Sequence, residues 1–61
     1  MNTYSVVCVL DRDFEVEAVA VMAGDTTFDH LRTGYYGWIG TADDADDAAA
    51  QAVAHFEEVL A

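Results

Sequence analysis

The chain has no lysine and no proline, and its 61 residues include one cysteine, Cys8. A single cysteine cannot form an intramolecular disulfide, and it does not make a zinc cluster. Two arginines against twelve acids leave a formal net charge of −10. A chain of that charge repels DNA, RNA and anionic membranes, so we set aside direct nucleic-acid binding and membrane binding and expect a protein partner.

Long hydrophobic runs are also missing, and residues 1–4 lack the basic segment that begins a signal peptide. We therefore expect a soluble protein of the cytoplasm. Hydrophobic residues make up 54% of the chain, which favours a packed core over disorder. We predict one domain over residues 1–61, and domains of this size bury only about 60% of their unfolded surface. Stability is then marginal, so a partner or a second copy would help.

The first half of the chain predicts a β-hairpin. Residues 3–10 alternate apolar and other positions in the way that is typical of a strand, and residues 14–22 resume the alternation after the polar break at 11–13. The side chains expected on one face of the second strand are Phe14, Val16, Ala18, Ala20 and Met22.

The middle of the chain is less regular. After Gly24, either Thr26 or Thr27 could cap a short helical turn that runs to Leu31 and ends before Gly34. Residues 35–41 then predict a third strand, which carries aromatic side chains on both faces.

The last segment predicts a helix over residues 43–60. Small and apolar residues recur there at steps of three and four, and Thr41 with Asp44 resembles a capping box. The residues on this stripe are Ala45, Ala48, Ala49, Ala52, Val53, Phe56, Val59 and Leu60. The predicted fold is α+β, a three-stranded antiparallel sheet with one long C-terminal helix on one face (ββ(α)βα). We expect the helix to pack through Ala45, Ala49, Ala52, Val53 and Phe56.

Catalytic and metal-binding patterns are weak. The possible nucleophiles and bases are Ser5, Cys8, His30 and His55, and no motif places any two of them together. Acids at the first positions after Leu10 resemble the start of a calcium loop, but Val16 and Met22 stand where such a loop needs glycine and glutamate. We therefore predict no enzyme activity, no metal and no cofactor.

The acids are bunched rather than scattered. We predict that they form the partner-binding surface and that all of them are exposed: Asp11, Asp13, Glu15 and Glu17 in the hairpin, and Asp43, Asp44, Asp46, Asp47, Glu57 and Glu58 in the helix. Such a surface would bind a basic nucleic-acid-binding protein where phosphates normally lie. The alternative interpretation is that the acidity serves solubility or adaptation to salt.

The sequence also suggests a second candidate binding surface. Alternation along the third strand separates Tyr36 and Trp38 from Tyr35 and Ile39, and one helix covers only one of these faces. Tyr36 and Trp38 are thus a possible aromatic patch, because Tyr and Trp are favoured at interfaces. Through such a patch the chain could be a structural or regulatory module of an antitoxin-like kind. The apolar second face is expected to be covered either by a homodimer or by residues 24–34.

The small size, the acidity, the short sheet and the acidic helix together resemble the small phage-encoded anti-CRISPR proteins of the DNA-mimic type, including inhibitors of type I systems such as type I-C. These families share no motif, so the resemblance transfers no residue role. It implies that the chain inhibits a CRISPR surveillance complex by occupying the basic surface that receives target DNA. It also implies that the chain acts in the host cell cytoplasm.

Overall fold

A computed structural model describes residues 1–25, 28 and 31–60. Its elements are β1 (Asn2–Leu10), β2 (Val16–Ala23), β3 (Tyr35–Ala42) and the helix α1 (Ala45–Leu60). The strands form one antiparallel sheet in the order β2-β1-β3, and α1 contacts all three strands. The predicted α+β fold is confirmed. None of the helices in the described part of the chain has the length and apolar character needed to cross a membrane.

The β1–β2 turn differs from the prediction at Phe14. The Asp11 side chain accepts hydrogen bonds from the backbone N–H groups of Asp13 (2.8 Å) and Glu15 (3.0 Å), which closes the turn. Phe14 has a φ of 61°, in the left-handed region that side chains with a Cβ rarely adopt. The expectation that β2 begins at Phe14 was therefore wrong, because an extended strand cannot start from that conformation.

A β-bulge at Val19 changes which side chains of β2 face the helix. Cys8 pairs with Ala18, but Val7 pairs with Ala20, so Val19 is an extra residue in β2. Beyond the bulge the alternation is reversed, and Val21 shares the helix side with Val6. The prediction that Phe14, Val16, Ala18, Ala20 and Met22 share one face was wrong, since Ala20 and Met22 lie on the other side.

The core lies between the sheet and α1. Its buried residues come from β1, the end of β3 and the helix: Val6, Cys8, Ala42, Ala48, Ala52 and Phe56. Alanines at the helix–sheet contact let the helix lie close to the strands, but each alanine buries little apolar surface. Ala45 and Val59 lie on the same stripe but are exposed, the latter by 61%. The predicted packing through Ala45 was wrong, because this residue begins the helix beyond the end of the sheet.

Residues from the β2–β3 connection cover part of the sheet's second face. A Cβ at Gly37, which shares that face with Val7, would collide with the ring of Phe28. Ser5, on the same face, is fully buried, and its hydroxyl donates a hydrogen bond to the Gly24 carbonyl at 2.7 Å. Cover by residues 24–34 is thus present at these points. The helical turn predicted from Thr26 or Thr27 lies outside the described residues.

Candidate partner-binding surface

The acids occupy two opposite ends of the molecule. Ala42 pairs with Asn2 at the start of β1, so the acids that follow at 43–47 lie at that end. The helix then returns along the sheet, because Phe56 packs against Tyr36 with ring centroids 5.6 Å apart, and Tyr36 pairs with Cys8. Glu57 and Glu58 therefore lie toward the hairpin turn at 11–15. We call these the helix-start end and the hairpin end.

Exposure agrees with the predicted surface at every position except one. Asp47 is half-buried; the other nine acids of the predicted surface are exposed: Asp11, Asp13, Glu15, Glu17, Asp43, Asp44, Asp46, Glu57 and Glu58. Within the described part of the chain, neither Arg12 nor Arg32 forms an ion pair with any of them. The nine exposed carboxylates therefore present their charge to solvent, with no ion pair to either arginine among the described residues.

At the helix-start end, two of the carboxylates serve the fold. Asp44 is the N-cap: its side chain accepts from the Asp47 N–H at 2.8 Å, and its carbonyl accepts from the Ala48 N–H at 3.0 Å. Asp47 in turn accepts from the Asp43 N–H (3.2 Å) and from the Gln51 amide (3.1 Å). The carboxylates of Asp44 and Asp47 therefore stabilise the start of α1 by accepting these hydrogen bonds.

The predicted capping box from Thr41 was therefore wrong. Thr41 is still part of β3, and its carbonyl accepts a hydrogen bond from the Gln51 amide at 3.2 Å. The helix begins at Ala45, two residues later than predicted. Because Asp and Thr are both good N-caps, the sequence pattern did not distinguish Asp44 from Thr41.

At the hairpin end, Asp11 is the one acid of the turn whose side chain forms a hydrogen bond within the part of the chain that the structure describes. Among the described residues, the side chains of Asp13, Glu15 and Glu17 form no hydrogen bond or ion pair. Phe14, between them, is 73% exposed. The sequence analysis did not predict that Phe14 is exposed, because the residue fitted the apolar alternation of β2. The signal that could have shown it is an aromatic residue inside a run of acids next to a turn.

Negative charge is unevenly distributed along the molecule, which measures 32 Å along its longest axis and carries a net charge of −10. On α1, Asp46 and Glu57 lie within about 20° of each other around the helix and about 17 Å apart along it. One side of the molecule therefore shows negative charge at both ends of the helix, with a neutral middle.

The structure corrects the predicted aromatic patch. Tyr36 and Trp38 are half-buried on the helix side, where both pack against the core and the Trp38 ring fills the space beside Gly40. The exposed large side chains of β3 are instead Tyr35 (40%) and Ile39 (45%). The helix covers the face of β3 with the larger rings, since Phe56 extends the core toward Tyr36.

Cys8 and His55, two of the residues considered for catalysis, differ in burial. Cys8 is fully buried, and this burial raises the pKa of its thiol above the ordinary value. His55 is exposed, with its ring edge against Phe56 at a centroid distance of 5.0 Å. His30 lies outside the described residues. No group of three or more potential metal ligands occurs in the ranges 1–25, 28 and 31–60.

Comparison with known proteins adds no relative. No protein-family model, no curated protein and no solved structure matches this chain. The functional assignment consequently rests on the charges, exposures and contacts described above.

Proposed function

We propose that the chain is an acidic inhibitor that binds the basic, nucleic-acid-binding surface of a partner protein in the cytoplasm. The observation that carries this proposal is the set of exposed carboxylates at both ends, with no ion pair to Arg12 or Arg32 among the described residues. In a small domain, this much like charge is destabilising through self-repulsion. A basic partner surface would reduce that self-repulsion and attract the carboxylates, and both effects favour binding.

Electrostatic recognition of this kind mainly raises the rate of association and the specificity of binding. Complementary potentials steer two proteins together, and they select against partners of the wrong charge. The exposed carboxylates support competition with a nucleic-acid strand, because a surface that binds phosphates also attracts carboxylates. The chain needs no catalytic group, metal or cofactor for this role.

The hairpin end is the better candidate for the central contact. Among the described residues, the side chains of Asp13, Glu15 and Glu17 form no hydrogen bond or ion pair, whereas Asp44 caps the helix and Asp47 accepts from the Asp43 N–H. The exposed ring of Phe14 adds an aromatic group of the kind that contributes most to interfaces. We assign the helix acids Asp46, Glu57 and Glu58 to the edge of the contact.

The resemblance noted from the sequence suggests which partner to test. A type I CRISPR surveillance complex, such as that of type I-C, has a basic surface that receives target DNA, and blocking it would make this chain an anti-CRISPR protein of the DNA-mimic type. We propose this partner as the first candidate, with the phage-infected host cell as the setting.

A competition experiment tests the proposal. Labelled target DNA bound by a purified type I-C complex is titrated with the native chain and with two variants. One variant carries Asp13→Lys, Glu15→Lys and Glu17→Lys; its matched control carries Asp46→Lys, Glu57→Lys and Glu58→Lys. Each variant has the same formal net charge, −10 + 6 = −4. Circular dichroism checks that both remain folded.

We expect the native chain to displace DNA, the hairpin variant to fail, and the helix variant to displace DNA at higher concentration. Like charges at an interface cost several kcal/mol, or roughly 100-fold or more in affinity for the hairpin variant. If both folded variants displace DNA as well as the native chain, the carboxylates are not the recognition surface. Loss of displacement to the same degree in both variants would mean that net charge alone matters.

The second candidate function is a structural or regulatory module, antitoxin-like, that binds through apolar contacts while its acidity serves solubility or salt adaptation. The exposed rings of Phe14 and Tyr35 favour it; Tyr36 and Trp38, which pack on the core, do not. Salt separates the two functions, because exposed charges are screened within about 8 Å at physiological ionic strength. The affinity for the partner is measured at low and high salt. An affinity that falls steeply with salt supports the inhibitor, and an affinity that changes little supports the module.

A further inference from the structure

Phe14 differs from the other aromatic residues in its surroundings. It is 73% exposed and lies outside the buried core. Among the described residues, its ring contacts no other aromatic ring. It is also the one aromatic residue of the chain that has an acid directly before it and directly after it, namely Asp13 and Glu15. An exposed aromatic ring therefore lies between two exposed carboxylates.

The hairpin turn fixes the backbone on both sides of Phe14. The Asp11 N–H donates to the Glu15 carbonyl at 3.0 Å, and the Phe14 N–H donates to the Asp11 carbonyl at 3.2 Å. The Asp11 carboxylate accepts from the N–H groups of Asp13 and Glu15. The φ of 61° at Phe14 is one that glycine adopts more easily, yet the turn holds an aromatic residue there. A side chain presented from a fixed backbone loses less entropy when it binds.

Single-stranded and duplex nucleic acids present different chemistry to a protein. In a duplex the phosphates lie outside, and the flat faces of the bases are stacked inside. In a single strand the faces of the bases are accessible as well. Proteins that bind single strands combine a basic groove with aromatic or arginine side chains on which the bases stack. Carboxylates alone resemble the outside of a duplex, whereas carboxylates with an exposed ring between them resemble a single strand.

We infer that the nucleic acid replaced by this chain is a single strand, with the Phe14 ring in the place of a base and the carboxylates of Asp13 and Glu15 in the place of phosphates. This inference rests on the proposed function and narrows its partner. The basic surface is a groove for single-stranded nucleic acid, and the Phe14 ring stacks on one of its side chains as a base does. Arginine suits this position, because its guanidinium plane stacks on rings and its charge attracts the neighbouring carboxylates.

Competition with two probes tests the inference on the native chain. A labelled oligothymidine single strand and a labelled duplex of equal total charge are each bound to the purified type I-C complex at low salt. Neither probe pairs with the guide RNA of the complex. The native chain is then titrated against both. We expect it to displace the single strand at a concentration at least about tenfold lower than the duplex, because the ring competes only where bases stack.

Two variants of Phe14 test the ring separately. Phe14→Leu keeps an apolar side chain without an aromatic face, and Phe14→Tyr keeps the aromatic face. Both retain a Cβ, so both meet the same backbone constraint as the native residue, and circular dichroism with thermal unfolding checks the fold. We expect Phe14→Leu to need a roughly tenfold higher concentration to displace the single strand, and Phe14→Tyr to match the native chain within about twofold.

The outcomes separate this inference from the proposed function. If the native chain displaces target DNA but displaces the single strand at no lower concentration than the duplex, the inference is overturned and the proposed function stands. A folded Phe14→Leu variant that displaces the single strand as well as the native chain would also overturn it, because the aromatic face is then not used. A chain that displaces neither target DNA nor either probe overturns both.

Discussion

The two acidic ends of the molecule have similar composition and different roles. At the helix-start end, Asp44 and Asp47 accept backbone hydrogen bonds that begin α1. At the hairpin end, Asp11 closes the turn, and Asp13, Glu15 and Glu17 serve no described contact. A cluster of acids is therefore not one kind of surface. Where the chain must satisfy the free N–H groups of a helix, carboxylates are structural; where a hairpin already has its bonds, they are available for a partner.

The packing beneath the helix-start end gives the largest expected effect. We predict that Ala48→Gln destabilises the fold by about 3 kcal/mol, because a longer polar side chain at a fully buried position both overpacks the core and loses its hydration. The matched control is Ala50→Gln, two residues away on the exposed side of the same helix. Urea unfolding of both variants measures the difference. Equal stability of the two would contradict the packing described here.

The helix cap gives an intermediate effect and compares the two ends directly. Asp44→Ala should destabilise the fold by about 1 kcal/mol, since the Asp47 N–H loses its acceptor, while Asp44→Asn should retain most of the stability. Asp13→Ala, at the hairpin end, should leave stability unchanged within about 0.5 kcal/mol. Thermal unfolding of the three variants provides the measurement. A loss at Asp13 as large as that at Asp44 would remove the distinction between the ends.

Phe14 gives a gain in stability instead of a loss, and the sharpest contrast with binding. We expect Phe14→Gly to stabilise the fold by up to about 1 kcal/mol, because glycine adopts the left-handed backbone without strain. The same variant should bind the partner more weakly, since it removes the exposed ring. Chemical denaturation and the DNA competition are measured on the same sample. A variant that loses stability as well as binding would mean that the ring supports the fold.

Much of the fold was predictable because the relevant signals are local. Alternation located the three strands within two residues of their observed ends, and the three- and four-residue steps located α1. The errors fall where local patterns compete. At Phe14 the alternation continued into a turn, and at Val19 a bulge reversed the faces without any change in composition. Hydrophobic alternation cannot reveal an extra residue when the residues on both faces are alanine and valine.

The charge of the candidate surface was predictable from the sequence, but which of its residues support the fold was not. Acids on a predicted helix and next to a turn have no core to enter, and all of those predicted except Asp47 are exposed. That Asp44 rather than Thr41 caps the helix depends on where β3 ends, which is set by its pairing with β1. The burial of Tyr36 and Trp38 likewise depends on which face of the sheet α1 covers.

The sequence by itself determined that this chain folds as a small α+β domain with a strongly negative surface, because periodicity and net charge are properties of neighbouring residues and of composition. The tertiary structure alone decided the faces and the edges. It placed Phe28 over Gly37, turned Tyr36 and Trp38 toward the helix, and left the β3 edge with Tyr35 and Ile39 exposed. These outcomes depend on contacts between residues distant in the chain, which no local pattern encodes.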